Sequence, residues 1–140
     1  APTGDRDLVT LLIGVNNQYQ HKPFSLYESE FPQLVNTAIN LAGGEKANVI
    51  VVSIPDYAYT PFGSATPANM ALITAEIAQY NAFASNYCQQ QGIVFINITD
   101  ITQNGLTNPA LVASDGLHPS QEAYAQFVER ILPTAIQTLP

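Results

Sequence analysis

The sequence has one cysteine, no tryptophan and very few basic residues. With 140 residues and a single thiol, Cys88, the chain has no second cysteine for an intrachain disulfide. Cys88 falls in an apolar helical pattern, which favours packing in the core over a reactive role. A chain of this length can bury a sufficient core without a disulfide or a metal. We therefore expect one domain over residues 1–140.

The shortage of positive charge excludes whole classes of partner. Four residues are basic and eleven are acidic, for a formal net charge of -7. Nucleic acids and anionic membranes are bound through clusters of Lys and Arg, and here the basic residues are scattered. The sequence contains no run of 18 or more apolar residues, so no membrane span is predicted. The sequence does not decide between a cytoplasmic protein and an exported one, either secreted or periplasmic.

What the chain does have is an alternation of apolar runs and helical periodicities. The runs predict strands at residues 8–13, 48–54 and 93–96; the first is expected to be covered on both faces and the second to be buried. Helical patterns separate and follow these strands. The alternation predicts an α/β domain with a parallel sheet.

Three helices are predicted, at residues 25–41, at 67–91 and from Pro119 onward. The first begins with a candidate capping box, Ser25 and Glu28. The last should turn four side chains toward the core: Tyr124, Phe127, Val128 and Ile131. The glutamates of the helices, among them Glu30 and Glu76, are expected on solvated faces.

Polar residues directly follow the first strand, at Gly14-Val15-Asn16-Asn17. Glycine allows a sharp backbone turn, and an asparagine amide is an uncharged donor suited to stabilising an oxyanion. Asn beside Gly is also ordinary turn chemistry. Taken alone, this segment fits a turn better than a catalytic site.

A second candidate lies near the carboxyl end, at Ser114-Asp115-Gly116-Leu117-His118-Pro119. An Asp three residues before a His can hold one imidazole nitrogen and leave the other facing a nucleophile. The alternative is that Asp115 caps a turn and His118 merely precedes a helix. A third candidate, Ser53 to Tyr57, combines Asp and Tyr after the second strand, in a loop that turn formation explains equally well.

In this order, the segments Leu11 to Asn17, Val52 to Tyr57 and Asp115 to Pro119 resemble the SGNH/GDSL hydrolase family. The resemblance covers essentially the whole chain. It implies a three-layer α/β/α sandwich of the flavodoxin-like type, of which this chain holds the last three strands. It also implies hydrolysis of small carboxylic esters by Ser-His-Asp acyl transfer.

The resemblance assigns roles residue by residue. It makes Asn16 the oxyanion donor, His118 the general base and Asp115 the residue that orients the imidazole. Contacts with substrate are expected from three further residues: Gly14, Asn17 and Tyr57. Neither a metal nor an organic cofactor is implied.

The chain departs from the family at the Gly-Asp-Ser block, which has no counterpart. Gly4-Asp5-Arg6 has the first two residues but Arg at the nucleophile position. We therefore expect the serine on another segment, and we expect that segment or a second copy of the chain to cover the open edge of strand 8–13. Ser53 and Ser114 are weaker substitutes. The alternative function is a catalytically silent remnant that binds a ligand or a protein partner.

Overall fold

The computed structural model describes residues 5–139, so Gly4 of the Gly-Asp-Arg segment lies outside the described range. Three strands form: β1 (Val9–Leu11), β2 (Val49–Val52) and β3 (Val94–Ile96). Five α-helices accompany them: α1 (Val15–Tyr19), α2 (Phe24–Leu41), α3 (Pro67–Gln91), α4 (Thr99–Thr102) and α5 (Gln121–Thr138). Single 3-10 turns occur at Lys46–Asn48, Tyr57–Tyr59 and Pro109–Leu111.

The strands form one parallel sheet in the order β1-β2-β3. Val9 pairs with Val49 across the first interface, and Val52 pairs with Ile96 across the second. The central strand β2 is buried along its whole length, as its unbroken Val-Ile-Val-Val run predicts. The α/β class and the parallel sheet are confirmed.

Helices cover both faces of the sheet, which makes the three layers. Val49 and Val51 point into a core formed with α2 and α3, and Ile50 and Val52 point into a second core formed with α4 and α5. This alternation is the period-2 geometry of a strand. Because parallel strands end at one edge, the loops after β1 and β2 approach each other there.

Helix α3 follows the sequence prediction at both ends. The side-chain oxygen of Thr66 accepts the backbone N–H of Asn69, and Gly92 ends the helix in the left-handed conformation at φ 70°. Cys88 on its inner face is buried, and this burial raises the pKa of its thiol to about 11. No helix within residues 5–139 has the length and hydropathy of a bilayer span.

Two sequence predictions about the start of the chain need correction. Strand β1 is three residues long and its Thr10 is exposed, so it is not covered on both faces as predicted. Within the described residues only β2 pairs with it, which leaves the other edge open. Helix α2 begins at Phe24 with Pro23 as its N-cap and without a side-chain cap bond, so the Ser25 capping box does not form. Phe24 instead packs its ring against Tyr80 at 5.0 Å between centroids, which fixes the helix start.

The prediction for the inner face of α5 is confirmed for Phe127 and Ile131, which pack into the second core, and wrong for Tyr124 and Val128. Its fully buried residues are Ala123, Phe127 and Ala135. Tyr124 and Val128, predicted to face the core, are 52% and 57% exposed. Two alanines, Ala123 and Ala135, complete the inner face, and the larger Tyr124 and Val128 side chains face outward.

Candidate active site

The Asp115 to His118 loop folds on its own hydrogen bonds. Oδ1 of Asp115 accepts the backbone N–H groups of Leu117 at 2.9 Å and His118 at 3.0 Å. Gly116 adopts φ 71°, the left-handed conformation that lets the chain turn back on itself. Oδ2 of Asp115 then lies 2.6 Å from Nδ1 of His118. The loop therefore brings carboxylate and imidazole together at a spacing of three residues.

The same hydrogen bonds fix the charge of the carboxylate. The backbone N–H groups of His118 and Leu117, followed by the His118 side chain, lower the pKa of Asp115 to about 2. An ionised carboxylate facing Nδ1 keeps the proton on that nitrogen and leaves Nε2 as an acceptor. Nε2 makes no hydrogen bond within residues 5–139, and 71% of the His118 side chain is exposed.

Asn16 is held at the start of the short helix α1. Gly14 precedes it with φ 124°, and a Cβ at Gly14 would lie 2.7 Å from the Tyr27 ring and 2.8 Å from Ile54. Any other residue there would therefore clash as well as strain the backbone. The Asn16 side chain is exposed, and its amide has no hydrogen-bonding partner in the described chain.

A cavity of about 380 Å³ brings the candidate residues together. Asn16, His118 and Tyr57 all line it, although they come from three separate segments of the chain. Apart from Asn16 and His118, the lining side chains are apolar or aromatic: Leu12, Val15, Tyr19, Pro55, Tyr57, Leu117, Pro119 and Tyr124. Asp115 supports the cavity from behind His118 and does not line it.

Gly14 and Asn17, expected to contact substrate, do not line this cavity. Gly14 is buried beneath α1. The side-chain amide of Asn17 donates to Glu30 on α2 at 3.1 Å. Both residues therefore hold the turn that carries Asn16.

A buried glutamine that sequence reasoning missed completes this support. Gln18 is 2% exposed; its amide nitrogen donates to Glu76 of α3 at 2.6 Å, and its carbonyl oxygen accepts the Tyr57 hydroxyl at 2.6 Å. Glu30 and Glu76, expected on solvated faces, thus both anchor α1. The one sign of this role in the sequence is that Gln18 lies two residues after Asn16. The sequence does not show which of the neighbouring polar residues is buried.

We expect the Gln18→Leu substitution to destabilise the protein by about 1–3 kcal/mol, because it leaves the buried Tyr57 hydroxyl without an acceptor. The Glu76 carboxylate also loses its bond from Gln18. Because Glu76 is half-buried, water can replace that bond, and its loss adds little to the destabilisation. Urea unfolding measures the effect, with Gln33→Leu as the control. Gln33 makes one exposed side-chain bond on α2, so its substitution should stay within about 0.5 kcal/mol. Equal losses for the two variants would contradict the anchoring role.

The two serines considered as substitute nucleophiles differ in setting. Ser53 is 1% exposed; its hydroxyl lies 3.1 Å from Asn97 Oδ1 and accepts the backbone N–H of Ile98 at 2.8 Å. These bonds fix Ser53 in the fold. Ser114 is exposed, and no serine among residues 5–139 hydrogen-bonds to the His118 ring. No group of three or more His, Cys, Asp and Glu side chains in that range is arranged to hold a metal ion.

The profile of the GDSL-like Lipase/Acylhydrolase family matches residues 1–126. The chain belongs to the GDSL-like lipase/acylhydrolase family. No curated protein sequence matches it significantly.

The fold is also similar to that of a solved esterase. Axe2, an acetyl xylan esterase from Geobacillus stearothermophilus, superimposes with a TM-score of 0.62 at 19% sequence identity. The match covers 92% of this chain and 59% of the esterase chain. At this identity the likeness shows the fold, and the chain spans less than two thirds of the length of that structure.

Proposed function

We propose that this chain supplies the base, its orienting carboxylate and the oxyanion donor of a serine ester hydrolase. One observation carries the proposal: Asn16 and His118, which are 102 positions apart in the sequence, line one cavity, and His118 is paired with an ionised Asp115. A base and a neutral amide donor around one cavity are two of the groups that acyl transfer to a serine requires.

Each residue has one task in the proposed reaction. His118 Nε2 removes the proton of a serine hydroxyl as the oxygen attacks the ester carbonyl, and the Asn16 amide donates to the resulting oxyanion. Collapse of the tetrahedral intermediate releases the alcohol, which takes the proton from His118. Water then repeats the sequence on the acyl-serine, releasing the carboxylic acid. Asp115 stabilises the imidazolium formed in each half.

We propose that the serine lies on a polypeptide segment outside these 140 residues, called here the serine-bearing segment. Support comes from the described serines, none of which bonds to His118, and from the missing Gly-Asp-Ser block. The 71% exposure of the His118 side chain is consistent with a base whose partner is not among residues 5–139.

An uncovered apolar surface next to the cavity suits such a segment. Residues spaced by four along α5 form a stripe on one helix face, and all are 49% to 61% exposed: Tyr124, Val128, Leu132 and Ile136. Tyr124 and Leu12, the residue after β1, both line the cavity, so the stripe reaches the cavity near the end of β1. An exposed apolar stripe and an unpaired strand edge each favour association with more polypeptide. A second copy of this chain is the other occupant to test.

The oxyanion role predicts a defined kinetic effect. In the polypeptide that contains the serine, Asn16→Ala should lower kcat about 10²- to 10³-fold and leave KM nearly unchanged, because the amide acts on charge that develops in the transition state. Hydrolysis of a short-chain nitrophenyl ester measures both constants.

The Asn16→Asp variant serves as the matched comparison. It keeps the size of the side chain but offers only acceptor oxygens to the oxyanion, so we expect a loss at least as large. Unchanged turnover in Asn16→Ala would remove Asn16 from the mechanism. A catalytically silent binding remnant would show no turnover even in the parent protein.

A further inference from the structure

A second cavity adjoins the catalytic one. It has a volume of about 470 Å³ and shares Tyr19 and Tyr57 with the cavity that holds Asn16 and His118. Its volume falls in the range of roughly 300–1,000 Å³ typical of small-molecule sites. Phe62 on its wall donates its backbone N–H to the Gly116 carbonyl at 3.1 Å, which ties this wall to the loop of the catalytic base.

Two aromatic rings in this cavity are unusually exposed. Tyr19 is 45% and Phe62 is 48% exposed, with ring centroids 6.0 Å apart and planes inclined by 36°. Tyr57 contacts the Tyr19 ring edge-on at 5.9 Å and is itself held by its bond to Gln18. The chain therefore keeps aromatic faces open to solvent against a rigid backing, which is how amphipathic ligands are bound.

Polar groups without partners surround these rings. Three of them make no hydrogen bond within residues 5–139: the Tyr19 hydroxyl, the His21 imidazole and the side-chain carbonyl oxygen of Asn69. The Asn69 amide nitrogen, in contrast, donates to the Gly63 carbonyl at 3.0 Å, which fixes the orientation of that side chain. An alkyl chain would desolvate these groups without replacing their bonds to water. A ligand with an apolar face and a rim of hydroxyl groups would satisfy both the rings and the polar groups.

We propose that this second cavity binds a sugar ring that forms the alcohol part of the ester. The inference rests on the proposed ester hydrolysis, and it divides the substrate between the two cavities. The acyl group occupies the catalytic cavity, whose lining besides Asn16 and His118 is aliphatic or aromatic, and the sugar ring packs on Tyr19 and Phe62. Cleavage at the shared boundary would leave the sugar hydroxyl as the leaving group.

Binding without turnover tests the assignment. The sample is the polypeptide that includes the serine-bearing segment, titrated with methyl β-D-xylopyranoside and with methyl β-D-glucopyranoside. We expect saturable shifts of the backbone-amide NMR signals of Phe62, Asn69 and Leu72. Affinities on the order of millimolar are expected for one ring in an open site. Hexanoate should shift residues of the catalytic cavity instead.

Two variants make the test specific. Phe62→Leu keeps apolar bulk but removes the aromatic face, so we expect glycoside binding to weaken about tenfold. Leu106→Ala changes an equally exposed apolar residue, 45% accessible, that lines neither cavity, so binding should be unaltered. The absence of saturable glycoside shifts, or hexanoate binding at Phe62 and Leu72, would overturn the assignment. Glycoside binding without any ester hydrolysis would instead defeat the proposed function and leave the sugar site standing.

Discussion

The His118→Ala substitution is expected to lower kcat roughly 10⁶-fold in the polypeptide that contains the serine, the scale of loss found when a catalytic histidine is removed. The physical reason is that His118 alone presents a free imidazole nitrogen to the cavity shared with Asn16. Without it, no group in the cavity can take the serine proton at neutral pH. Initial rates with a short-chain nitrophenyl ester measure the loss.

Ser114→Ala is the matched control for this experiment. Ser114 is exposed and lies four residues before His118, yet it makes no bond to the imidazole. Its removal should leave kcat and KM unchanged if the nucleophile is on the serine-bearing segment. Retained activity in His118→Ala would contradict the assignment of the base, and lost activity in Ser114→Ala would move the nucleophile onto this chain.

The Asp115→Asn substitution is expected to lower kcat roughly 10⁴-fold. Asparagine can still accept the backbone N–H groups of Leu117 and His118, so the loop should keep its shape. The neutral amide no longer favours a proton on Nδ1 and cannot stabilise the imidazolium. A KM within about twofold of the parent value would separate this electrostatic effect from a collapsed site, whereas an unchanged kcat would exclude Asp115 from catalysis.

Titration of Asp115 checks the electrostatics behind that expectation. Its pKa is about 2 in the folded chain against an ordinary 3.8, chiefly because backbone N–H groups donate to it. Since the folded pKa is depressed, its contribution to stability is present above pH about 4 and is lost as the pH falls through about 2. Carboxyl ¹³C shifts should show this midpoint, and it should stay well below 3.8 in His118→Ala. A midpoint near 3.8 in that variant would make the imidazole the main cause.

Local patterns predicted the elements that local chemistry determines. Helix α3 runs over the predicted residues 67–91 because Thr66 caps its start and Gly92 ends it. Strand β2 lies where the only unbroken β-branched run predicts a strand with helices on both faces. The pairing of Asp115 with His118 could also be predicted from the sequence, because the two residues are only three positions apart and Gly116 lets the chain turn between them.

The predictions failed for features that depend on contacts with distant parts of the chain. On α5, the small residues Ala123 and Ala135 join the core while Tyr124 and Val128 face outward, which the amphipathic pattern does not show. The burial of Gln18 depends on Tyr57 and Glu76, which come from distant parts of the chain. Tertiary contacts thus decided the features that single-element patterns missed.

The most direct test of the account is labelling with a fluorophosphonate, which reacts with an activated serine, followed by intact mass and peptide mapping. The account predicts that the isolated 140-residue chain takes no label and does not hydrolyse nitrophenyl esters. A polypeptide that includes the proposed serine-bearing segment should take one label on a serine of that segment, and His118→Ala should abolish that labelling. A label on Ser53 or Ser114, or efficient hydrolysis by the isolated chain, would contradict the claim that this chain holds the base and oxyanion donor but not the nucleophile.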